Sequence, residues 1–160
     1  SPKLNITIAK LFPEESPTAP SKSIIGRRSI SAIDRAVRVD TPNYEYYYLS
    51  PELRQKLMVP VLTRIHAQSL EEFGDLVRHP GEEFIYVVEG RLIVHTEFYD
   101  PIQLNAGESI YIDSGMGHAY VCAPGSRETL TIGVMSSGEG DLSSLRHNAH
   151  HHPAKNGSSK

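Results

Sequence analysis

The feature that most constrains this chain is a run of short apolar segments, each closed by a turn signal, between residues 44 and 134. Tyr44, Tyr46 and Tyr48 alternate with Glu45 and Tyr47, a period of two that suits a half-buried strand. VPVLTRI (59–65), EFIYVV (83–88), RLIVHTEFY (91–99), ESIYI (108–112), HAYVC (118–122) and TLTIGV (129–134) follow. Between them stand Pro80-Gly81, Glu89-Gly90, Asp100-Pro101, Asn105-Ala106-Gly107, Ser114-Gly115 and Pro124-Gly125. These pairs punctuate strands, and Glu89-Gly90 between two apolar runs predicts a tight hairpin. Only SPELRQKL (50–57) has helix-start chemistry, a Ser cap followed by Pro in the first turn. The pattern predicts an all-β sandwich or barrel over residues 41–136.

The flanks read differently. Residues 13–40 form a linker and lead-in, opened by PEESPTAPSKS, whose three prolines among Ser, Thr and Glu cannot bury surface. Ahead of it, residues 1–12 (SPKLNITIAKLF) place Leu4, Ile8 and Leu11 at helical spacing, as the end of a helix from a preceding domain would. Residues 137–160 are poor in apolar groups and are expected to be a disordered tail. Its His147, His150, His151 and His152 would bind transition metals only adventitiously. Apolar residues make up 39% of the chain, enough for one core. No apolar run approaches the roughly 20 residues of a membrane helix. With no charged-then-apolar leader and the single Cys122, a cytoplasmic location is expected, with no disulfide framework.

Charge is unevenly spread. Residues 1–39 carry seven Lys/Arg against three Asp/Glu, whereas residues 40–135 carry six against fourteen. An acidic body repels phosphate, so DNA contact is not expected from the barrel itself. The same acidity suggests a cationic or amine-bearing small-molecule partner.

Four histidines lie within the strand-rich region: His66, His79, His95 and His118. His79 precedes Pro80-Gly81, Glu83 opens an apolar strand four residues on, and His118 opens another after the loop DSGMG. Two imidazoles and a carboxylate can hold Fe, Mn, Ni or Zn as divalent ions on one face and leave positions open. Glu83 shares strand parity with Ile85 and Val87, and Tyr120 and Cys122 share that of His118. With Val77, these four are the expected pocket lining. An unpaired carboxylate inside a barrel needs compensation, which a metal supplies. Cys122 reads as an inert buried thiol, and His66 and His95 as residues without a partner at metal spacing. The tyrosine face of 44–48 reads as core or dimer packing rather than a ligand cage. No P-loop, nucleophile elbow or dinucleotide fingerprint is present, and no catalytic residue is assigned.

HPGEEFIYVVEG (79–90) and GESIYIDSGMGH (107–118) resemble the two cupin motifs. His79, Glu83 and Gly90 match the second His, the Glu and the Gly of the first motif. Gly107, Gly115 and His118 match the second, while Asp113 stands for its Pro and Cys122 for its Asn. The resemblance implies a cupin jelly-roll barrel, that is, a double-stranded β-helix. The family's first His falls at Val77, which cannot ligate, so the implied metal set shrinks to His79, Glu83 and His118. The same trio is similar to that of the hydroxypropylphosphonate epoxidase type.

The flanking sequence is also similar to Xre-type regulators, in which a helix-turn-helix domain precedes a cupin sensor. That resemblance implies an effector-sensing domain that forms a homodimer through its barrel. It would meet DNA only through an upstream helix-turn-helix domain. The alternative it leaves open is a mononuclear metal-dependent cupin enzyme, an Fe(II) oxygenase or epoxidase or an isomerase.

Overall fold

A computed structural model describes residues 26–136. The segment expected to be a helical remnant (1–12), the first part of the expected linker and the histidine-containing tail (137–160) lie outside the described residues. After a 3-10 turn at Ile33–Arg35, the elements are β1 (Val37–Asp40), β2 (Tyr44–Tyr48), β3 (Met58–Ile65), a single helical turn α1 (Leu70–Phe73) and β4 (Glu82–Glu89). Then come β5 (Arg91–Thr96), β6 (Tyr99–Asn105), β7 (Ser109–Asp113), β8 (His118–Cys122) and β9 (Thr129–Ser136).

The strands form two antiparallel sheets, one ordered β1-β2-β3-β9-β4-β7 and the other β6-β5-β8. This is a jelly-roll β-barrel. Alternation decides what fills it: along β3 and β9 every second residue is buried, and along β4 Glu83, Ile85 and Val87 point inward. One core cluster joins Tyr44, Ile65 and Phe73 to Leu92, Val94, Tyr120 and Cys122 across the two sheets. A smaller one gathers Tyr48, Val59, Val61 and Met135 at the other end of the large sheet.

Four features depart from the sequence reading. Residues 50–57 are not a helix: Ser50 and Gln55 both have positive φ. The Lys56 ammonium donates to the carbonyls of Ser50 and Leu53 instead, taking acceptors that a helix would have used. The one α-helical turn among the described residues is α1, capped by Ser69, whose hydroxyl accepts from the Glu72 amide, while the Glu72 carboxylate accepts from the Gln68 amide.

The segment RLIVHTEFY is two strands, turned at Glu97-Phe98 so that Thr96 pairs with Tyr99. Asp100-Pro101 therefore sits inside β6, which tolerates proline because it is a sheet edge. The sheet also starts earlier than residue 41, since Val37–Asp40 pairs along β2 from Val37↔Tyr48 to Asp40↔Glu45. The expected hairpin at Gly90 is present. Its φ is +82°, and a Cβ there would lie 2.7 Å from the Glu128 carbonyl, so glycine is required.

Candidate metal centre

The loop between α1 and β4 is fastened to the start of β8. Val77 and His118 exchange both backbone hydrogen bonds, each 3.0 Å. The His79 amide donates to the Ser114 carbonyl, and the Ser114 amide to that of Gly81. Gly81 has φ +104°, and a Cβ there would meet the Ser136 carbonyl at 2.2 Å. Arg78 pairs through its guanidinium with Glu97, whose carboxylate also accepts from the Gly117 amide. This ties the loop to the β5–β6 hairpin.

These restraints bring His79, Glu83 and His118 together, with one donor atom of each within 4.8 Å of the others. Glu83 Oε2 lies 3.3 Å from His79 Nε2 and 3.1 Å from His118 Nε2. Donors bound to one ion at about 2.1 Å stand roughly 3–3.5 Å apart, so these separations suit a common cation. Glu83 and His118 are buried, and the two imidazole rings meet edge to face at 5.2 Å.

His118 Nδ1 is 2.8 Å from the Met116 carbonyl. A carbonyl only accepts, so Nδ1 carries the proton and neutral His118 turns the Nε2 lone pair toward Glu83. Glu83 Oε2 itself makes no aligned hydrogen bond. Two lone pairs facing each other need a cation between them, either a proton or a metal. A ligating imidazole whose other nitrogen is held by a backbone carbonyl is the usual arrangement at metal sites. The donor set therefore fits a divalent transition metal.

The electrostatics agree. Burial alone would raise the Glu83 carboxyl, but His118 and His79 beside it bring it down to about 2. Burial lowers the His118 imidazole, and its partner Glu83 more than offsets this, leaving it raised above 6.5.

The trio faces a cavity of about 330 Å³ inside the barrel. Val77, Ile85 and Tyr120 line it. Val87 and Cys122 do not: both are fully buried among Leu92, Val94 and Ala119, farther along the barrel axis. Strand parity gives the inward direction but not the depth, which explains the error. Cys122 donates to the Ile65 carbonyl at 3.1 Å, and burial pushes its thiol up.

The sequence reading missed one wall. Tyr44, Tyr46 and Tyr48 all line the cavity, with Tyr46 5.4 Å from Tyr44 and 5.8 Å from Tyr48 between ring centres. Their alternation was visible, but nothing in sequence said that β2 would cover the trio. Tyr44 is also structural, since its hydroxyl donates to the Tyr120 carbonyl and accepts from the Tyr120 amide.

His66 also has partners that sequence did not show. It stands between Glu45 (3.2 Å) and Glu128 (3.4 Å) on the outer surface, where Arg64 also pairs with Glu128. His95 joins no such group among the described residues, and burial lowers its imidazole.

Fold and site together define a small jelly-roll barrel with an internal two-histidine, one-carboxylate donor set. Residues 71–132 match the family described as Cupin_2, the cupin domain. No curated protein matches. Among solved structures, the Fe(II) form of HppE aligns with a TM-score of 0.60 at 22% identity, covering 68% of this chain and 60% of that one. Hydroxypropylphosphonic acid epoxidase from S. wedmorenis in complex with fosfomycin aligns with a TM-score of 0.59 at 22% identity, covering 68% and 59%. The chain thus spans about 60% of the length of these relatives, and at such identity the likeness is one of fold. No helix among the described residues is long and apolar enough to cross a membrane.

Proposed function

We propose that this barrel is the effector-sensing domain of a helix-turn-helix transcriptional regulator, with a small molecule bound in the cavity beside a divalent metal on His79, Glu83 and His118. The observation that carries the reading is the preformed chamber, apolar and aromatic along its walls and ending on three convergent donors. The chamber touches both sheets, through Tyr44 on β2 and Tyr120 on β8. A ligand there acts on the packing between the sheets, and it shifts a regulator to the extent that it binds one packing better. DNA recognition belongs, on this reading, to a separate helix-turn-helix domain.

The reading includes a homodimer, supported by the outer face of the large sheet. Tyr47, Leu62, Ile132 and Tyr86 lie side by side across four strands, as do Pro60, Val134, Phe84 and Tyr111 in the next row. An outward face free of charge at its centre is the mark of a protein interface, and closed two-fold pairing is its commonest form.

The enzyme reading is favoured by one observation: two histidines and one carboxylate leave positions for both a substrate and dioxygen. One experiment separates the two. Protein with His147, His150, His151 and His152 replaced by Ala is loaded with Fe(II) or Zn(II) and screened in air against small metabolites. Its metal content, thermal shift and oxygen uptake are recorded. Sensing requires a ligand that raises the melting temperature and is recovered unchanged. Oxygen uptake with a new product would transfer the site to the enzyme class.

A further inference from the structure

Two buried hydroxyls remain unexplained, those of Ser114 and Tyr120, and only Tyr120 lines the cavity. The Tyr120 hydroxyl is buried and makes no aligned hydrogen bond among the described residues. Burial and then the neighbouring Glu83 carboxylate push its phenol up, through charge and a weak contact, but no aligned hydrogen bond joins the two. The ring cannot turn away easily. Its backbone amide and carbonyl are both held by the Tyr44 hydroxyl, and the His118 ring packs against it at 5.7 Å. A hydroxyl kept dry and unpaired costs stability unless something accepts its proton.

We infer that the molecule this site takes is a small monoanion with an oxygen head and an apolar body, the head bridging the metal trio and the Tyr120 hydroxyl. The inference rests on the metal-bearing reading above. Two neutral imidazoles and one carboxylate leave a divalent ion with one net positive charge. Inside a barrel an anionic oxygen head neutralises that charge, whereas an ammonium head adds a second unpaired cation. Tyr120 then donates to the same head. The walls beyond are Tyr46, Val61, Ile65, Phe73, Ile85 and Met135, suited to hydrocarbon. The charged side chains Asp75 and Arg78 are exposed at the rim, and Arg78 is already paired with Glu97. At about 330 Å³ the chamber is at the small end of ligand pockets. The interior thus reverses the expectation of an amine partner drawn from the acidic surface.

The test uses the full chain with His147, His150, His151 and His152 replaced by Ala, loaded with one equivalent of Zn(II), and three probes with the same body: hexanoate, hexanol and hexylamine. Binding is measured by calorimetry, for wild type and for Tyr120→Phe. Hexanoate should bind best and hexylamine worst. Tyr120→Phe should weaken hexanoate about 10- to 100-fold, the loss of one hydrogen bond to a charged group. It should change hexanol far less. Metal-free Tyr120→Phe should melt no lower than wild type, because the lost hydroxyl made no aligned hydrogen bond. Preference for hexylamine, or equal hexanoate affinity in the variant, would overturn the inference while leaving the metal site standing. Hexanoate binding that is the same with and without Zn(II) would overturn the metal-bearing reading and the inference together.

Discussion

The residue that departs most from the cupin pattern is also the most direct probe of the trio. Val77 and His118 are directly paired, exchanging both backbone hydrogen bonds, so their side chains project to the same face. Val77→His should therefore supply a fourth ligand and tighten divalent-metal binding by roughly 1–3 kcal/mol. Glu83→Gln, which removes the one anionic donor, should act oppositely. Metal content by mass spectrometry after dialysis, in protein with the tail histidines replaced by Ala, measures both. Identical negligible metal in wild type and both variants would end the assignment.

The proton can also hold Glu83 and His118 together, so the metal-free protein should be acid-sensitive. Glu83 falls from 4.5 to about 2 on folding, so its contribution is complete above 4.5 and is lost as pH drops toward 2. The loss should be roughly 2–3 kcal/mol, read from urea midpoints between pH 5 and 2. His118 works the other way, since its raised imidazole stabilises below 6.5 and that contribution disappears as pH rises through the folded value. Glu83→Gln should flatten both limbs. A wild-type acid limb equal to that of Glu83→Gln would mean that Glu83 is not paired in solution.

The trio was legible in sequence because its spacing carries its geometry: a turn after His79, a carboxylate opening the next strand, and an imidazole opening another. Val87 and Cys122 were misplaced for the complementary reason. Their parity is right, but how deep a residue sits along the barrel depends on strand register, which only tertiary pairing fixes.

Among the elements, those with strong alternation were readable and those held by long-range partners were not. β3, β4, β8 and β9 stand within a residue or two of their apolar runs. The Glu97-Phe98 turn lacks Gly, Asn or Pro. It is held instead by the Arg78 pair, the bond from the Glu97 amide to the Gly117 carbonyl, and the return bond from the Gly117 amide. Helix-start chemistry at Ser50-Pro51 was overridden because Lys56 folds back onto the carbonyls it would have freed.

The clearest coupling between elements is Tyr44, which reaches from β2 to the backbone of β8. Tyr44→Phe leaves the buried Tyr120 amide and carbonyl without that hydroxyl, so it should cost about 1–3 kcal/mol in chemical denaturation. It should also loosen Tyr120 and with it hexanoate binding, while Zn(II) stoichiometry stays at the wild-type value. Unchanged stability would mean that water replaces the hydroxyl, and the Tyr120 ring would not be fixed as inferred.

At the scale of the whole molecule, the asymmetry between the two faces of the large sheet is what remains to be used. Its inner face closes the cavity, and its outer face carries two adjacent apolar rows over strands β2, β3, β9, β4 and β7. Five strands at about 4.8 Å make a stripe about 24 Å wide. Charges stand at its ends, with Arg64 beyond one row and Glu82 and Asp113 beyond the other. Phe84 and Tyr111 are opposite one another on β4 and β7, Tyr111 is 62% exposed, and both belong to a contiguous apolar patch of the kind that marks an interaction site. A second copy packed face to face would cover both rows, and a standard interface takes about 800 Å² from each partner. The chain should therefore sediment as a dimer at tens of micromolar. Phe84→Arg with Tyr111→Arg places like charges across a two-fold interface and should give monomers. Because both side chains point away from the cavity, the metal content of that variant should equal wild type, which separates loss of pairing from loss of fold. A monomeric wild type, or a variant that stays dimeric with its metal intact, would place the partner of this barrel elsewhere.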